Sequence, residues 1–233
     1  MAGGLGSCFG RSKARRQALI ALLLVLLPNL LLTGIGLVMR GAARQAADAK
    51  AMAHFGLSWF LRQVGLNAFF LLPMGIWVWR HRVERAAVCG WGRERRRQAV
   101  GLGVLTGMIV LFLRARPFAP ERLAQADVWW ALVTYAVVAL AEETLYRGFL
   151  QRQLEAWLGR WWGYLTTALL FTTLHLPARL LGGEPMASAL TYALLQLLPM
   201  ALLFGGTMLM ANHAAAPTLV HLAWNWASVL RWV

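Results

Sequence analysis

Three clusters of polar side chains interrupt apolar stretches in the second half of the chain, and their residue types suit hydrolytic chemistry. They occupy residues 142–147, 171–175 and 221–225. An ionisable group inside a membrane span costs about 3 kcal/mol or more, so it usually faces a protein interior or a water-filled cavity. The clusters therefore indicate a functional site built from several helices.

The first cluster contains two adjacent glutamates that have different neighbours on a helix. Glu143 and Arg147 are four residues apart, in the order that favours an ion pair within a helix. Glu142 lies about 100° round the helix from Glu143 and farther from Arg147, so it lacks an obvious local partner. A poorly solvated carboxylate holds a proton more readily, and this suits a general base. We therefore expect Glu142 to be the catalytic base.

The third cluster places two hydrogen-bonding side chains on one helix face. His221 and Asn225 are four residues apart, so both side chains can point at a single atom, as an oxyanion requires. Each cluster alone also has an ordinary interpretation, such as a solvated helix end or a hydrogen bond between packed helices. Their presence on separate apolar helices of one chain favours the functional interpretation.

Composition excludes an ordinary soluble domain. Hydrophobic residues make up 59% of the chain and charged residues 14%, against about 45–50% and about 25% in soluble proteins. The net charge of +14 would indicate a polyanion partner in a soluble protein. Here the basic residues cluster between apolar runs, which is typical of topology signals that face anionic lipid headgroups. We therefore expect a lipid bilayer as a partner and no nucleic acid.

Apolar runs long enough to cross a bilayer recur along the whole chain. A bilayer core about 30 Å thick needs about 20 apolar helical residues. The sequence therefore predicts an all-α, polytopic membrane helical bundle of about seven transmembrane helices. The third and fifth runs are short, which indicates tilted or re-entrant segments. The predicted helices cover residues 17–39, 57–79, 98–113, 126–150, 161–176, 188–211 and 215–232.

Basic residues also predict the orientation of the chain. Residues 80–97 contain seven arginines and two glutamates, and residues 11–16 contain four basic side chains. Cytoplasmic loops carry such an excess, so we expect a cytoplasmic N-terminus. Without a visible repeat or linker, we expect one integrated membrane domain. Residues 1–127 would supply about three N-terminal membrane helices, and residues 128–233 the catalytic core.

The three clusters together resemble the CAAX-protease and bacteriocin-processing family of intramembrane peptidases, also called the CPBP or Abi family. Its pattern is Glu-Glu-x-x-x-Arg, then Phe-x-x-x-His, then His-x-x-x-Asn on successive membrane helices. The chain matches with Glu142, Glu143 and Arg147, with Phe171 and His175, and with His221 and Asn225. The resemblance covers residues 128–233, a little under half of the chain.

The resemblance implies a mechanism. Glu142, helped by His175, would activate a water for attack on a peptide carbonyl, while His221 and Asn225 stabilise the oxyanion. Glu143, Arg147 and Phe171 would support these groups. The family has also been described as metalloproteases, so zinc held by Glu142, His175 and His221 is a rival chemistry. The scattered ligands and the absence of a compact zinc signature favour a reaction without a cofactor.

The resemblance implies a membrane-associated peptide or protein substrate. The composition suits a bacterial inner-membrane protein, and in bacteria we do not expect a prenylated substrate. Two alternatives stay open: a catalytically silent scaffold or bacteriocin-immunity protein of the same fold, and a small proton-coupled transporter. Outside the motifs, Asn212 and His213 are interpreted as a loop pair at the membrane surface. Gly205 and Gly206 are interpreted as sites of close helix packing.

Overall fold

The computed structural model describes residues 11–43, 56–80 and 88–231, and in these ranges the chain is almost entirely helical. An isolated pairing of Phe118 with Arg231 is the only extended pairing in the described part. The all-α prediction is therefore confirmed for these residues. We number the helices α1 (Arg11–Ala43), α2 (Leu57–Arg80), α3 (Arg96–Arg114), α4 (Ala126–Glu143), α5 (Arg152–Leu158), α6 (Arg160–Leu174), α7 (Leu176–Leu181), α8 (Met186–Tyr192), α9 (Leu198–Ala211) and α10 (Ala215–Ala227).

Five helical stretches within the described ranges are long and apolar enough to cross a membrane, which makes the chain an integral membrane protein. Two of the predicted crossings correspond to shorter helices, because α6 has 15 residues and α10 has 13. The predicted run 215–232 also ends outside the described residues. The count of seven crossings therefore stays a prediction. The five stretches are Ser12–Met39, Leu57–Arg80, Arg96–Arg114, Ala126–Leu158 and Met186–Ala211.

The chain forms two compact units that do not follow the sequence order. The first unit contains residues 1–51 and 149–206, and the second contains residues 52–148 and 207–233. Each unit therefore combines early and late parts of the chain. The predicted functional division between residues 127 and 128 stays a prediction.

In the second unit, small residues let α3 and α10 pack closely. A side chain at Gly103 would lie 3.0 Å from the backbone of Ala216, and one at Gly107 would lie 3.3 Å from the carbonyl oxygen of Leu219. Ala99 is fully buried against the start of α10 in the same way. Small residues four apart bring helix backbones together where lipid gives no hydrophobic driving force. This packing fixes α10, which carries His221 and Asn225.

Helix α4 packs on α10 and on α2 in the same unit. The indole Nε1 of Trp226 donates a hydrogen bond to the carbonyl oxygen of Val128, 3.1 Å away. Trp59 of α2 meets Tyr135 edge to face, with ring centroids 5.7 Å apart. The indole hydrogen bond on one side and the aromatic ring contact on the other hold α4 between these two neighbours. Its last turn carries Glu142 and Glu143.

The first unit depends on its own close approaches. A side chain at Gly163 would lie 2.3 Å from the backbone nitrogen of Glu155, so α5 and α6 meet at a glycine. A side chain at Gly205 would lie 2.8 Å from the ring of Tyr164, whereas one at Gly206 would meet nothing within 4 Å. The prediction of close packing is therefore confirmed for Gly205 and is wrong for Gly206, since Gly206 faces away from its neighbours.

Candidate functional site

The two glutamates lie at the point where α4 changes its helical pitch. From Thr144 to Gln151 the backbone forms a π-helical segment, with wider turns than the α-helix before it. Single π-helical turns are rare and are often found at functional sites. The change of pitch places Glu142 and Glu143 on the last regular turn and Arg147 on the widened one.

Glu143 and Arg147 form a fully buried ion pair. Arg147 Nη1 donates a hydrogen bond to Glu143 Oε1 at 3.1 Å, and both side chains have 0% exposure. The ion pair expected from the spacing of these residues is therefore present. A charge at this depth is tolerated because the opposite charge lies beside it.

The same carboxylate oxygen also contacts the histidine of the third cluster. His221 Nδ1 lies 2.8 Å from Glu143 Oε1, and the His221 side chain is 3% exposed. The structure therefore brings together Glu143, Arg147 and His221, from two helices of the second unit. The sequence placed His221 beside a developing oxyanion, but it did not foresee that Glu143 would hold this ring.

This contact limits what the His221 ring can do. A carboxylate that already accepts a bond from Arg147 is an acceptor, so His221 Nδ1 carries the proton that it shares with Glu143. In the neutral ring, Nε2 is then an acceptor, and only the doubly protonated ring donates through both nitrogens.

The remaining residues of the second unit's site are more accessible. Glu142 and Asn225 are half-buried, and their side chains form no hydrogen bond or ion pair among the described residues. Glu143 Oε2 is buried and likewise has no hydrogen-bond partner in the described part of the chain. The site thus offers one carboxylate that is fixed by two partners and one that is available to a substrate or water.

Phe171 and His175 lie in the first unit. His175 Nδ1 is 2.7 Å from the carbonyl oxygen of Phe171, and the two rings lie 4.4 Å apart between centroids. Because a carbonyl oxygen only accepts, His175 Nδ1 donates, and Nε2 of the neutral ring keeps its lone pair. Phe171 thus fixes both the orientation and the tautomer of His175. The approach of His175 to Glu142 stays a prediction.

Sequence reasoning missed a loop that holds the site helix. Trp91 Nε1 donates a hydrogen bond to Thr144 Oγ1 at 2.9 Å. A side chain at Gly148 would lie 2.0 Å from the carbonyl oxygen of Cys89, so only glycine fits there. Gly148, the residue after Arg147, therefore packs directly against the backbone at Cys89. A glycine inside a helical pattern is the signal that could have indicated it.

The interpretation of His213 as a surface residue is wrong. Its side chain is buried, at 2% exposure for the residue. His213 Nδ1 accepts a hydrogen bond from the backbone of Ala215 at 3.0 Å, so Nε2 donates to the carbonyl oxygen of Gly92 at 2.9 Å. His213 joins the loop after Trp91 to the start of α10. Its neighbour Asn212 is exposed, with a left-handed backbone (φ 52) that asparagine tolerates.

Among the described residues, no group of three or more His, Cys, Asp or Glu side chains is arranged to hold a metal ion. The zinc ligands considered above, Glu142, His175 and His221, come from both units. The choice between zinc and a metal-free reaction stays a prediction.

A comparison with protein families matches residues 124–227 to the model described as type II CAAX prenyl endopeptidase Rce1-like. The matched segment contains all three polar clusters. A comparison with curated proteins and one with solved structures each found no match. The family match confirms the resemblance that the motifs indicated, and it overlaps the resembling stretch over residues 128–227.

Proposed function

Because residues 124–227 belong to the type II CAAX prenyl endopeptidase Rce1-like family, we propose that the chain is an intramembrane endopeptidase. It would hydrolyse a peptide bond of a membrane-associated protein or peptide. The observation that supports this most is the contact of the buried Glu143 carboxylate with His221, which brings motif residues from two separate helices together. Burying an ionisable group inside a membrane helix costs free energy, so such groups usually mark a functional site.

In the proposed reaction, Glu142 takes a proton from a water, with His175 orienting that water. The resulting hydroxide attacks the carbonyl carbon of the scissile bond, and the carbonyl oxygen becomes an oxyanion. His221 and Asn225 donate hydrogen bonds to this oxyanion. Collapse of the intermediate breaks the carbon–nitrogen bond, and the proton held by Glu142 moves to the leaving amine. The products are one amine and one carboxylic acid, which then releases its proton to become a carboxylate.

Glu143 and Arg147 are positioning residues in this proposal. Glu143 orients His221 through the 2.8 Å contact, and Arg147 balances the charge of Glu143 at 3.1 Å. A doubly protonated His221 can use Nδ1 on Glu143 and Nε2 on the oxyanion at the same time. In this proposal the second glutamate therefore has a role distinct from that of the base.

The opposite assignment of the two glutamates has one observation in its favour. Glu143 Oε2 is buried and has no hydrogen-bond partner among the described residues, so it could also bind a water. We favour Glu142, because Glu143 Oε1 is already committed to Arg147 and His221. Substitution of each glutamate by glutamine distinguishes the two assignments.

The test begins with a search for a natural product of cleavage. Peptides released by cells that express the wild-type chain are compared with those from Glu142→Gln and His175→Ala cells. We expect at least one membrane-derived peptide that is present only with the wild-type chain. Identical peptides in all three cultures would indicate a silent scaffold or immunity protein. Full cleavage by Glu142→Gln together with loss in Glu143→Gln would reverse the assignment.

We further propose that the chain lies in a bacterial inner membrane with its N-terminus in the cytoplasm. The seven arginines of residues 80–97 support this orientation. Residues 1–127 would then support the catalytic core of residues 128–233 within one membrane domain. Reporter fusions to residues 90 and 118 test the orientation: we expect a cytoplasmic reporter to be active at the first and inactive at the second.

A further inference from the structure

A cavity of about 480 Å³ lies outside the candidate active site, at the first turn of α3. It is formed by the loop after Trp91, by α3 and by the start of α10, all in the second unit. Arg93 and Arg96 lie on one part of its wall, and Val100 and Leu219 on another. The cavity thus has a basic part and an apolar part.

The basic part is open to a ligand. Arg93 and Arg96 are both exposed, and neither forms a salt bridge with another described residue. Glu94, the acidic residue between them, does not line the cavity. Two guanidinium groups without a protein carboxylate are well suited to bind a phosphate, since each offers several donors in a planar fork.

The apolar part lies on the side of the membrane span. Arg96 begins a helix that is long and apolar enough to cross a bilayer. Val100, one turn farther along this helix, is 40% exposed, and Leu219 lies beside it on the cavity wall. A ligand with its phosphate at the arginines would therefore extend its other end along apolar side chains toward the bilayer. Only an amphiphilic anion uses both parts of the wall.

The part of the cavity wall that the loop forms is held in place by side-chain contacts. Trp91 is fixed by its hydrogen bond to Thr144, and it stacks edge to face on His213 with ring centroids 5.6 Å apart. His213 is in turn hydrogen-bonded to the backbone of Gly92 and of Ala215. A wall fixed on both sides loses little freedom when a ligand binds.

From these observations we propose that this cavity binds one anionic phospholipid, with its phosphate between Arg93 and Arg96 and the start of an acyl chain against Val100 and Leu219. The site is separate from the proposed peptidase chemistry and does not depend on it. Its ligand is a resident lipid of the bilayer and not a substrate.

Native mass spectrometry of the full chain tests the site. The protein is extracted from nanodiscs that contain phosphatidylglycerol and phosphatidylcholine in equal amounts, and retained lipid is counted. We expect one phosphatidylglycerol to be retained by the wild-type chain. Arg93→Gln/Arg96→Gln should bind it more than about tenfold more weakly, because the phosphate loses its charge-assisted hydrogen bonds to both guanidinium groups.

The control variant is Arg95→Gln/Arg97→Gln, which removes the same charge from the same stretch but no residue of the cavity wall. It should retain phosphatidylglycerol as the wild-type chain does. Equal loss in both double variants would overturn the proposal, because it would show general attraction of anionic lipid to a basic surface.

A second variant and a competitor separate a lipid from a free phosphate. Val100→Gln leaves both arginines in place and should still weaken phosphatidylglycerol binding several-fold, because it removes apolar wall. Soluble glycerol 3-phosphate at equal concentration should not displace the lipid. If Val100→Gln binds normally and glycerol 3-phosphate competes fully, the cavity recognises phosphate alone and the lipid proposal is wrong.

Discussion

Replacement of Glu143 by glutamine should destabilise the chain, whereas the same replacement at Glu142 should not. Glu143 and Arg147 are both at 0% exposure, with Nη1 and Oε1 3.1 Å apart. Loss of one partner of such a pair costs about 3–5 kcal/mol, because the other charge stays buried. A glutamine oxygen can keep one hydrogen bond, worth about 1 kcal/mol. We therefore expect Glu143→Gln to lose about 2–4 kcal/mol.

Glu142 differs in each of these respects. It is half-buried, and its side chain forms no ion pair or hydrogen bond among the described residues. Substitutions of that kind usually change the free energy of unfolding by about 0.5 kcal/mol or less. The adjacent, chemically identical substitution is therefore a matched control for stability.

The assay is thermal unfolding of both variants in the same detergent. For a chain of this length, 1 kcal/mol changes the apparent Tm by about 2–4 °C. We expect Glu143→Gln to unfold about 4–16 °C below the wild-type chain and Glu142→Gln to unfold within about 2 °C of it. An unchanged Tm for Glu143→Gln would show that the buried pair does not contribute to the fold as the structure indicates.

Cleavage of an identified substrate should show the reverse order. Loss of the base in Glu142→Gln should lower kcat by about 10²–10⁴-fold. Glu143→Gln should lower kcat about tenfold to a hundredfold with little change in KM, because a displaced His221 affects the oxyanion and not substrate binding. If Glu143→Gln raised KM and left kcat unchanged, Glu143 would not act through His221.

Three further outcomes follow from the structure. Gly148→Ala should express poorly or lose several degrees of Tm, because its side chain would lie 2.0 Å from the carbonyl oxygen of Cys89, whereas Gly101→Ala should leave the Tm within about 2 °C, because it meets nothing within 4 Å. The Arg179 guanidinium, with help from the Ser188 hydroxyl, lowers the pKa of Glu184 below its ordinary value of 4.5. This contribution to stability is complete above pH 4.5 and is lost as the pH falls below it, so the protection of amides 179–192 against hydrogen exchange, relative to their intrinsic rates at each pH, should fall only below that pH. Chelators should leave cleavage unchanged if Glu142 activates water alone, and an activity restored by added zinc would establish the metal reaction.

The sequence predicted the long helices, because they are apolar runs bounded by charge or tryptophan, but it did not predict the short helices α5 and α7. It also predicted the pairing of Glu143 with Arg147, since spacing of four residues within one helix is enough. It did not predict the contact of Glu143 with His221, because these residues are 78 positions apart. Such a contact depends on how α4 and α10 cross. The crossing in turn depends on small residues such as Gly103, whose role appears only when the neighbour is known.

The error at His213 has the same origin. A histidine between two helices and beside an asparagine is typical of a surface turn, and the sequence contains no mark that distinguishes a buried one. Its burial depends on the loop after Trp91, which is 121 positions away from it. The acceptor in that loop is the backbone carbonyl oxygen of Gly92. Every residue has such an oxygen, so the residue types do not indicate which one a histidine will contact. Partners of this kind are found only in the folded chain.

The contact between Glu143 and His221 also explains why a membrane peptidase would need two adjacent glutamates. One carboxylate must accept a proton from water, so it cannot be held by fixed cations. In the proposed mechanism the other orients His221 through Nδ1, and it does so while it is also paired with Arg147. A single glutamate oxygen cannot meet both requirements, because an oxygen that accepts hydrogen bonds from Arg147 and His221 is not available to take a proton from water. Adjacent positions on a helix differ by about 100°, so the two carboxylates can have different neighbours while they stay in one site.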